Sequence, residues 1–407
     1  MLTGTISLLR NRNFRFFCLA NLFGDIPLIM QSFVLVWLIS ELAPSITIVS
    51  ITTFCFGIPF LVFGSFSGYI AQKFNRPLIL ILVHSIKILT SISLAIFIFT
   101  DSFQITHGLI AATILGIANS FAFTSRRSLT LHLIDKNKAS ASTATDYIGL
   151  GICALIGPSL SGFIIKEIGS GYTQIIIGLF SFAALLTLLQ IINTDKKETV
   201  SSIKENNKNI KKHPSIIQFI INQPILLVVL GLGILTNIFT LNYHFLAIII
   251  SKTVLLKDVQ STGILLTAGA LGVFIIVLLL SSLSEIKSKL FIIIPSFFGA
   301  VISIMLFALS KNYLLSYLML ALVGISNGIF IVMQIGIIGK YVSKELVPRV
   351  IGINTTLVGI GPFGALILGK LSDIYNPQMS LIICGTGCII IGTLTLLPLI
   401  KSKITNS

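Results

Sequence analysis

Twelve long apolar runs restrict the fold of this 407-residue sequence more than any other feature. Each run has roughly 20 residues and few charges, which is the length that an α-helix needs to cross an apolar layer of about 30 Å. Lipid offers no partner to backbone N–H and C=O groups, so continuous runs of this length favour helices over strands. The predicted spans are residues 14–40, 46–71, 77–99, 107–131, 139–166, 172–192, 224–250, 259–283, 288–309, 313–338, 346–371 and 378–399.

Composition excludes a soluble protein. The sequence is 55% hydrophobic and only 10% charged, whereas about a quarter of the residues of a soluble domain are charged. We therefore predict an all-α polytopic membrane protein. The first run follows basic residues, as in a signal peptide, but it is too long for one and eleven runs follow it, so we expect it to remain attached.

The basic residues are distributed unevenly between the two sides of the predicted layer. Most of the 28 Lys and Arg residues lie in segments on one side, namely residues 10–15, 73–76, 126–138, 196–212, 287–289, 340–349 and 401–403. Cytoplasmic loops are enriched in Lys and Arg, which predicts cytoplasmic N- and C-termini in a bacterial cytoplasmic (inner) membrane. The net charge of +15 thus reflects topology, and no nucleic-acid partner is inferred from it.

The two halves of the chain share sequence landmarks. The repeated landmarks are Gly116-Ile-Ala-Asn119 with Gly324-Ile-Ser-Asn327, and Gly157-Pro158 with Gly361-Pro362. Such a repeat is typical of transporters whose halves rock about a central site. It predicts a six-helix bundle at residues 1–192, a cytoplasmic linker at 193–223 and a second six-helix bundle at 224–407. The linker has the composition of a solvated tether, although residues 214–221 could form a short interfacial helix.

Several stretches carry a resemblance to a known family. They are Leu9–Arg15, Asn21–Asp25, Gly116–Arg127 and residues 133–139. Together with the two-half organisation, they resemble the major facilitator superfamily over nearly the whole chain. Within it, the sequence is similar to the bacterial twelve-span efflux branch that includes enterobactin-exporter-like and macrolide-efflux-like proteins. The resemblance implies twelve transmembrane helices in two pseudo-symmetric six-helix bundles.

The resemblance also implies a function. We expect a monomeric antiporter in the lipid bilayer that uses protons to export a small-molecule substrate, either in siderophore export or in drug resistance. Uptake of a metabolite is the alternative within transport, and a non-transporting receptor or a membrane-embedded enzyme is the alternative outside it. The sequence has no clustered residues with catalytic or metal-binding spacing and no nucleotide-binding P-loop, so we expect no enzyme activity, cofactor or metal.

Two segments resemble motifs of the superfamily. The loop motif G-x-x-x-D-R-x-G-R stands here as Gly68-Tyr-Ile-Ala-Gln72-Lys73-Phe-Asn-Arg76, with an amide in the acidic position. It implies a gating or structural role, with simple anchoring by the basic residues as the alternative. Gly157-Pro158 and its counterpart Gly361-Pro362 are similar to the glycine–proline motif of exporters, which suits a kinked, moving helix interface or generic helix packing. Gly359–Gly364 matches a dinucleotide fingerprint only formally, since no strand precedes it.

Asp25 is the first candidate functional residue. It lies about 16 Å into the first predicted span, and a charge at mid-bilayer costs roughly 2.5–3.5 kcal/mol on insertion scales. We predict that Asp25 couples transport to protons, with a structural carboxylate or a substrate contact as alternatives. Lys87 is similarly deep, one helical turn from His84. For Lys87 a structural ion pair or a snorkelling amine is favoured over transport, and for His84 a packing role.

Polar residues near the predicted pathway form the candidate substrate site. Arg126 and Arg127 end the fourth span, where one could attract an anionic substrate or pair with Asp146, and where both could simply anchor the helix. The other candidates are amide and phenol side chains in corresponding helices of the two halves, each of which interhelical hydrogen bonding would also explain. These residues are Gln31, Asn119, Asn237, Tyr243, Asn327 and Gln334.

Overall fold

A computed structural model of the protein describes residues 12–133, 139–191, 216–282, 289–342 and 357–398, together with residues 346, 350 and 353. All regular elements in these ranges are helices. The first group is α1 (Arg12–Leu42), α2 (Ile46–Lys73), α3 (Arg76–Phe99), α4 (Ile105–Leu133), α5 (Ala139–Ile168) and α6 (Ser170–Leu189). The second group is α7 (Ile216–Ile221), α8 (Pro224–Leu235), a π-helical turn (Thr236–Thr240), α9 (Tyr243–Thr253), α10 (Val259–Ser282), α11 (Lys289–Leu309), α12 (Tyr313–Tyr341), α13 (Gly361–Ile374) and α14 (Pro377–Leu394).

The helices confirm the predicted all-α membrane fold. Within the described ranges, eleven helical stretches are long and apolar enough to cross a membrane, and they coincide with eleven of the twelve predicted spans. The remaining span, residues 346–371, lies partly outside the described residues and is represented by α13. The seventh span differs from a single regular helix, because the π-helical turn divides it into α8 and α9. At this turn Asn242 Nδ2 donates to the carbonyl oxygens of Asn237 and Gly361, at 2.9 and 2.8 Å.

The chain divides into two compact units. One comprises Met1–Ala43, Cys55–Asn209 and Asp258–Thr267, and the other comprises Pro44–Phe54, Ile210–Lys257 and Ala268–Ser407. In the first unit, α6 packs against α1 and α3, while α1 also packs against α5. In the second, α11 packs against α12 and α14. The bundle boundaries at residues 192 and 224 stay a prediction, and residues 193–215 of the linker lie outside the described residues.

Close helix packing explains the repeated glycines. A Cβ atom placed on Gly116 of α4 would lie 2.5 Å from the carbonyl oxygen of Phe56 on α2. In the second unit, a Cβ on Gly324 of α12 would overlap the carbonyl oxygen of Gly269 on α10. Because lipid-embedded helices associate by van der Waals packing, residues without a side chain let two backbones approach. The repeated landmark thus marks the same kind of helix contact inside each unit.

Substituting Gly324 by alanine should therefore destabilise the protein, by about 1–3 kcal/mol, because α10 and α12 would have to separate. Gly339→Ala on the same helix is the matched control, since nothing lies within 4 Å of a Cβ at that position. Thermal unfolding of the two purified variants measures the difference. Equal melting temperatures would show that the close contact between α10 and α12 does not contribute to stability.

Candidate functional site

A guanidinium between two carboxylates forms the centre of the first unit. Arg126 on α4 donates from Nη1 to Asp25 Oδ1 at 2.6 Å and from Nη2 to Asp146 Oδ2 at 3.3 Å. Asn21, one turn before Asp25 on the same face of α1, donates from Nδ2 to Asp146 Oδ1 at 3.0 Å. The side chains of Asp25 and Arg126 are 7% and 16% exposed, against 26% for Asp146. Asp25 is therefore the deeper acid of the pair.

The planar fork of Arg126 makes this arrangement possible. A guanidinium presents several N–H donors in a fixed plane, so it can bond two acids at once. A lysine ammonium on a flexible chain is less suited to this. These three side chains comprise two acids and one base, so a second cation beside them would balance their formal charge. A carboxylate that took up a proton would change this balance.

Lys87 and His84 on α3 lie beside this cluster. Both side chains are buried, so Lys87 does not extend to an interface as a snorkelling amine would. His84 fits against α1 because residue 24 is a glycine, where a Cβ would lie 2.7 Å from His84 Cε1. The charged groups that act most strongly on Lys87 are Asp25 and Arg126. The helix α3 thus contributes two buried ionisable side chains to the interior of the first unit.

A cavity of about 310 Å³ opens beside the acids, between α1 and α5. Its polar lining includes Asn21, Asp25 and Asp146. Its other walls are largely apolar, with Phe14, Phe17, Cys18, Leu19, Leu22, Ile148 and Ile152 among them. Small-molecule sites are concave, mostly apolar and marked by a few converging polar groups, which describes this cavity.

The predicted substrate residues of the first unit separate into two places. Gln31 and Asn119 line a second, smaller cavity together with Lys87. Arg126 is occupied by the two carboxylates, which was one of the alternatives open for it. Arg127 lies on the exposed side of α4, with its guanidinium 4.9 Å from the Phe123 ring centroid. The structure therefore does not bring Arg127 to either cavity.

The predicted polar residues of the second unit are buried, and two of them bond to helix backbone. Asn237 Nδ2 donates to the Gly233 carbonyl within its own helix at 2.8 Å, and Gln334 Nε2 on α12 donates to the Val229 carbonyl on α8 at 3.4 Å. Tyr243 stacks on His244 with ring centroids 4.2 Å apart. Asn327 is also buried, on α12. For Gln334 the contact is an interhelical hydrogen bond. A substrate-lining role stays a prediction for Asn237, Tyr243, Asn327 and Gln334.

The loop motif lies where α2 ends and α3 begins. Gln72 and Lys73 are exposed, and Lys73 Nζ lies 5.6 Å from the Tyr69 ring centroid. Gly68 faces α4, where its Cβ would meet Thr124 at 3.8 Å. Arg76 is the first residue of α3, directly after the Asn75 cap. These positions fit a helix connection held at the surface, and a gating role stays a prediction.

The glycine–proline pairs occupy corresponding packing positions. A Cβ on Gly157 of α5 would lie 2.8 Å from Ile29 on α1, and a Cβ on Gly361 of α13 would lie 3.0 Å from the Asn237 carbonyl oxygen. Pro158 lies inside α5, whereas Pro362 lies in the first turn of α13. Each pair thus brings its helix close to another helix of the same unit, and motion at these contacts stays a prediction.

No group of three or more His, Cys, Asp or Glu side chains with metal-binding geometry is present in the described part of the chain. The five cysteines are free, and none is paired in a disulfide. The site therefore consists of the Arg126 cluster and the cavity beside it.

Replacing Arg126 by leucine would leave Asp25 and Asp146 without their shared cation, so we expect a loss of about 3–5 kcal/mol in unfolding free energy. Adding Asp25→Leu should recover part of that loss, because one of the two uncompensated acids is then gone. Arg127→Leu is the matched control and should change stability by less than about 1 kcal/mol. Denaturant unfolding of the purified variants checks this, and equal stabilities for the two arginine variants would contradict it.

Comparison with known proteins identifies the family of this chain. The family model of the Major Facilitator Superfamily matches residues 17–366. The chain is similar to the enterobactin exporter EntS of Citrobacter koseri, with 22% identity over 82% of this chain and 78% of the relative, and to that of Salmonella choleraesuis, with 23% identity over 82% and 79%.

Solved structures share the fold. A bacterial homolog of the human lysosomal transporter Spinster, in an inward-facing and occupied conformation, superposes with a TM-score of 0.70 at 12% identity, covering 95% of this chain and 96% of that one. The nucleoside transporter NupG gives 0.68 at 15% identity, covering 95% and 100%. With a family model that spans most of its length, the chain belongs to the Major Facilitator Superfamily.

Proposed function

We propose that this protein exports a small organic molecule across the bacterial cytoplasmic membrane in exchange for protons, by alternating access. The single observation that carries the proton coupling is the Asp25–Arg126–Asp146 cluster, in which Asp25 is buried and which adjoins a cavity of ligand size. The bias of basic residues toward one side supports cytoplasmic termini. We infer a monomer, since each unit has its own core of buried side chains.

The proton step follows from the geometry of the cluster. Asp25 is the less exposed acid and has the 2.6 Å bond to Arg126. A proton arriving at Asp25 removes its charge and weakens that bond. Arg126 keeps a partner, because its Nη2 also bonds Asp146 Oδ2 at 3.3 Å. The guanidinium can thus shift toward Asp146 without becoming an isolated buried cation, which would be costly. Loss of the proton restores the original pairing.

The same acids line the cavity, which couples the proton to the substrate. A substrate bound between α1 and α5 would place its apolar parts against Phe14, Phe17 and Ile148 and its donors toward Asp146 and Asp25. An ionised carboxylate accepts such hydrogen bonds more strongly than a protonated one. Proton uptake at Asp25 therefore weakens substrate binding, which is the relation that an exchange of the two requires.

The substrate class rests on this lining and on the relatives. A mostly apolar cavity with carboxylate acceptors suits an organic molecule that has both rings and hydroxyl or amine donors, as siderophore-like and drug-like molecules have. Similarity to proteins named enterobactin exporters supports export and makes enterobactin the first probe.

Transport in inside-out membrane vesicles tests coupling and direction together. Acidifying the vesicle lumen should drive enterobactin inward, which corresponds to export from the cell. Asp25→Asn should abolish the part of this uptake that depends on the proton gradient, because an amide cannot exchange a proton. Glu41→Gln removes an exposed carboxylate from the same helix and should retain uptake close to wild type.

Two outcomes would contradict the proposal. Gradient-driven uptake by Asp25→Asn at the wild-type rate would remove this residue from the coupling mechanism. Uptake that occurs only in right-side-out vesicles would reverse the direction and show an importer. Immunoblots of the vesicles confirm that all variants are present in equal amounts.

A further inference from the structure

A second cavity in the first unit has no part in the proton step. Its polar lining comes from four different helices, with Gln31 on α1, Lys87 and Ser91 on α3, Asn119 on α4 and Ser181 on α6. The apolar side chains around them include Phe56 and Leu115. The space has room for about one water-sized particle. A small pocket with several polar side chains therefore lies between five helices, α1, α2, α3, α4 and α6.

Three of the polar side chains at this cavity have atoms without a hydrogen-bond partner in the described part of the chain. Gln31 Nε2 and Oε1, Asn119 Nδ2 and Ser181 Oγ are all buried without a hydrogen bond in the described part of the chain. Gln31 and Asn119 are 3% and 4% exposed, and Ser181 is fully buried. A buried polar group without a partner is unfavourable, and native proteins satisfy nearly all of them with protein, water or ligand. Three unsatisfied side chains at one small space indicate an occupant.

The positive charge of Lys87 indicates that the occupant is negatively charged. Its side chain is 6% exposed, and within the described residues no carboxylate lies within 4.0 Å of Nζ. A buried ammonium needs a counter-charge or hydrogen-bond acceptors. None of the residues that line the cavity is acidic. The amides and hydroxyls around the ammonium supply further N–H and O–H donors.

We propose that this cavity binds one small inorganic anion, for which chloride is the probe. Lys87 Nζ supplies the counter-charge, while Asn119 Nδ2, Gln31 Nε2 and the Ser181 hydroxyl donate hydrogen bonds to the anion. Gln31 Oε1 is left as the acceptor for a neighbouring donor such as the ammonium. A water molecule would fill the space but would bring no negative charge into contact with the ammonium. A larger organic anion exceeds the space.

The charge on Asp25 sets how tightly this site holds an anion. The charged groups near Lys87 are Asp25 on α1, Arg126 on α4 and Asp146 on α5, with His84 as a further titratable group on α3 itself. The packed helix α6 carries no charged residue. Two acids and two bases balance, so neutralising Asp25 leaves a positive excess that favours the anion. This last step rests on the proposed function, whereas the anion site itself does not.

Thermal unfolding of the purified full-length protein tests the site without any transport. Sodium chloride is titrated against sodium gluconate at constant sodium, since gluconate is too large for the cavity. Chloride should raise the melting temperature in a saturable way that gluconate does not reproduce. Lys87→Met should abolish the chloride effect, because the variant has no positive charge at the cavity. Lys311→Met, at an exposed site, should respond as wild type.

Further variants keep the test decisive if Lys87→Met does not fold. Asn119→Leu and Ser181→Ala each remove one donor and should weaken the apparent chloride affinity by about tenfold. Asp25→Asn should tighten it, because a negative neighbour is lost. A wild-type protein with no chloride-specific shift, or an unchanged shift in all donor variants, would overturn the anion site. An unchanged affinity in Asp25→Asn would overturn only the link to Asp25.

Discussion

The pairing of one guanidinium with two carboxylates is the interaction on which the first half of this transporter depends. Charge inside an apolar layer is costly, so Asp25 can lie deep in α1 only because Arg126 meets it at 2.6 Å. Arg126 in turn is held by Asp146, whose other oxygen accepts from Asn21. The cluster thereby joins α1, α4 and α5 beside a cavity that α1 and α5 line. The same dependence makes the cluster responsive, because a change of charge at one acid alters the bond that positions the others.

The two halves share their packing landmarks and differ in charge. Gly116 and Gly324 both let two helices of one unit approach closely, and Gly157 and Gly361 do the same at a second contact. When the two halves are aligned on Gly116 and Gly324, however, Gln334 corresponds to Arg126 and Gly233 corresponds to Asp25. Gln334 donates to the Val229 carbonyl there. The repeat therefore preserves the packing framework, while the Asp25–Arg126–Asp146 cluster lies in the first half.

The sequence alone predicted the framework well because its causes are local. Span length and small residues at helix contacts follow from lipid and from backbone geometry, and the depth of Asp25 made it a candidate. Pairing of Arg126 with Asp146 was one of three alternatives, beside contact with an anionic substrate and simple anchoring of the helix. A long side chain can reach several neighbours, and the packing of the helices determines which one it contacts. The burial of Lys87 could not be predicted from the sequence, because α3 packs against α6, which is remote in sequence. The π-helical turn at Asn237 likewise depends on a contact with Gly361.

Infrared difference spectroscopy of the protein in lipid measures the protonation of Asp25 most directly. On acidification, the wild-type protein should gain a carboxylic acid C=O band from a buried group with slow deuterium exchange. That band should be absent from Asp25→Asn and retained in Glu41→Gln. A band that persists in Asp25→Asn, or its absence from the wild type throughout the range in which transport occurs, would contradict a mechanism in which this acid exchanges the proton.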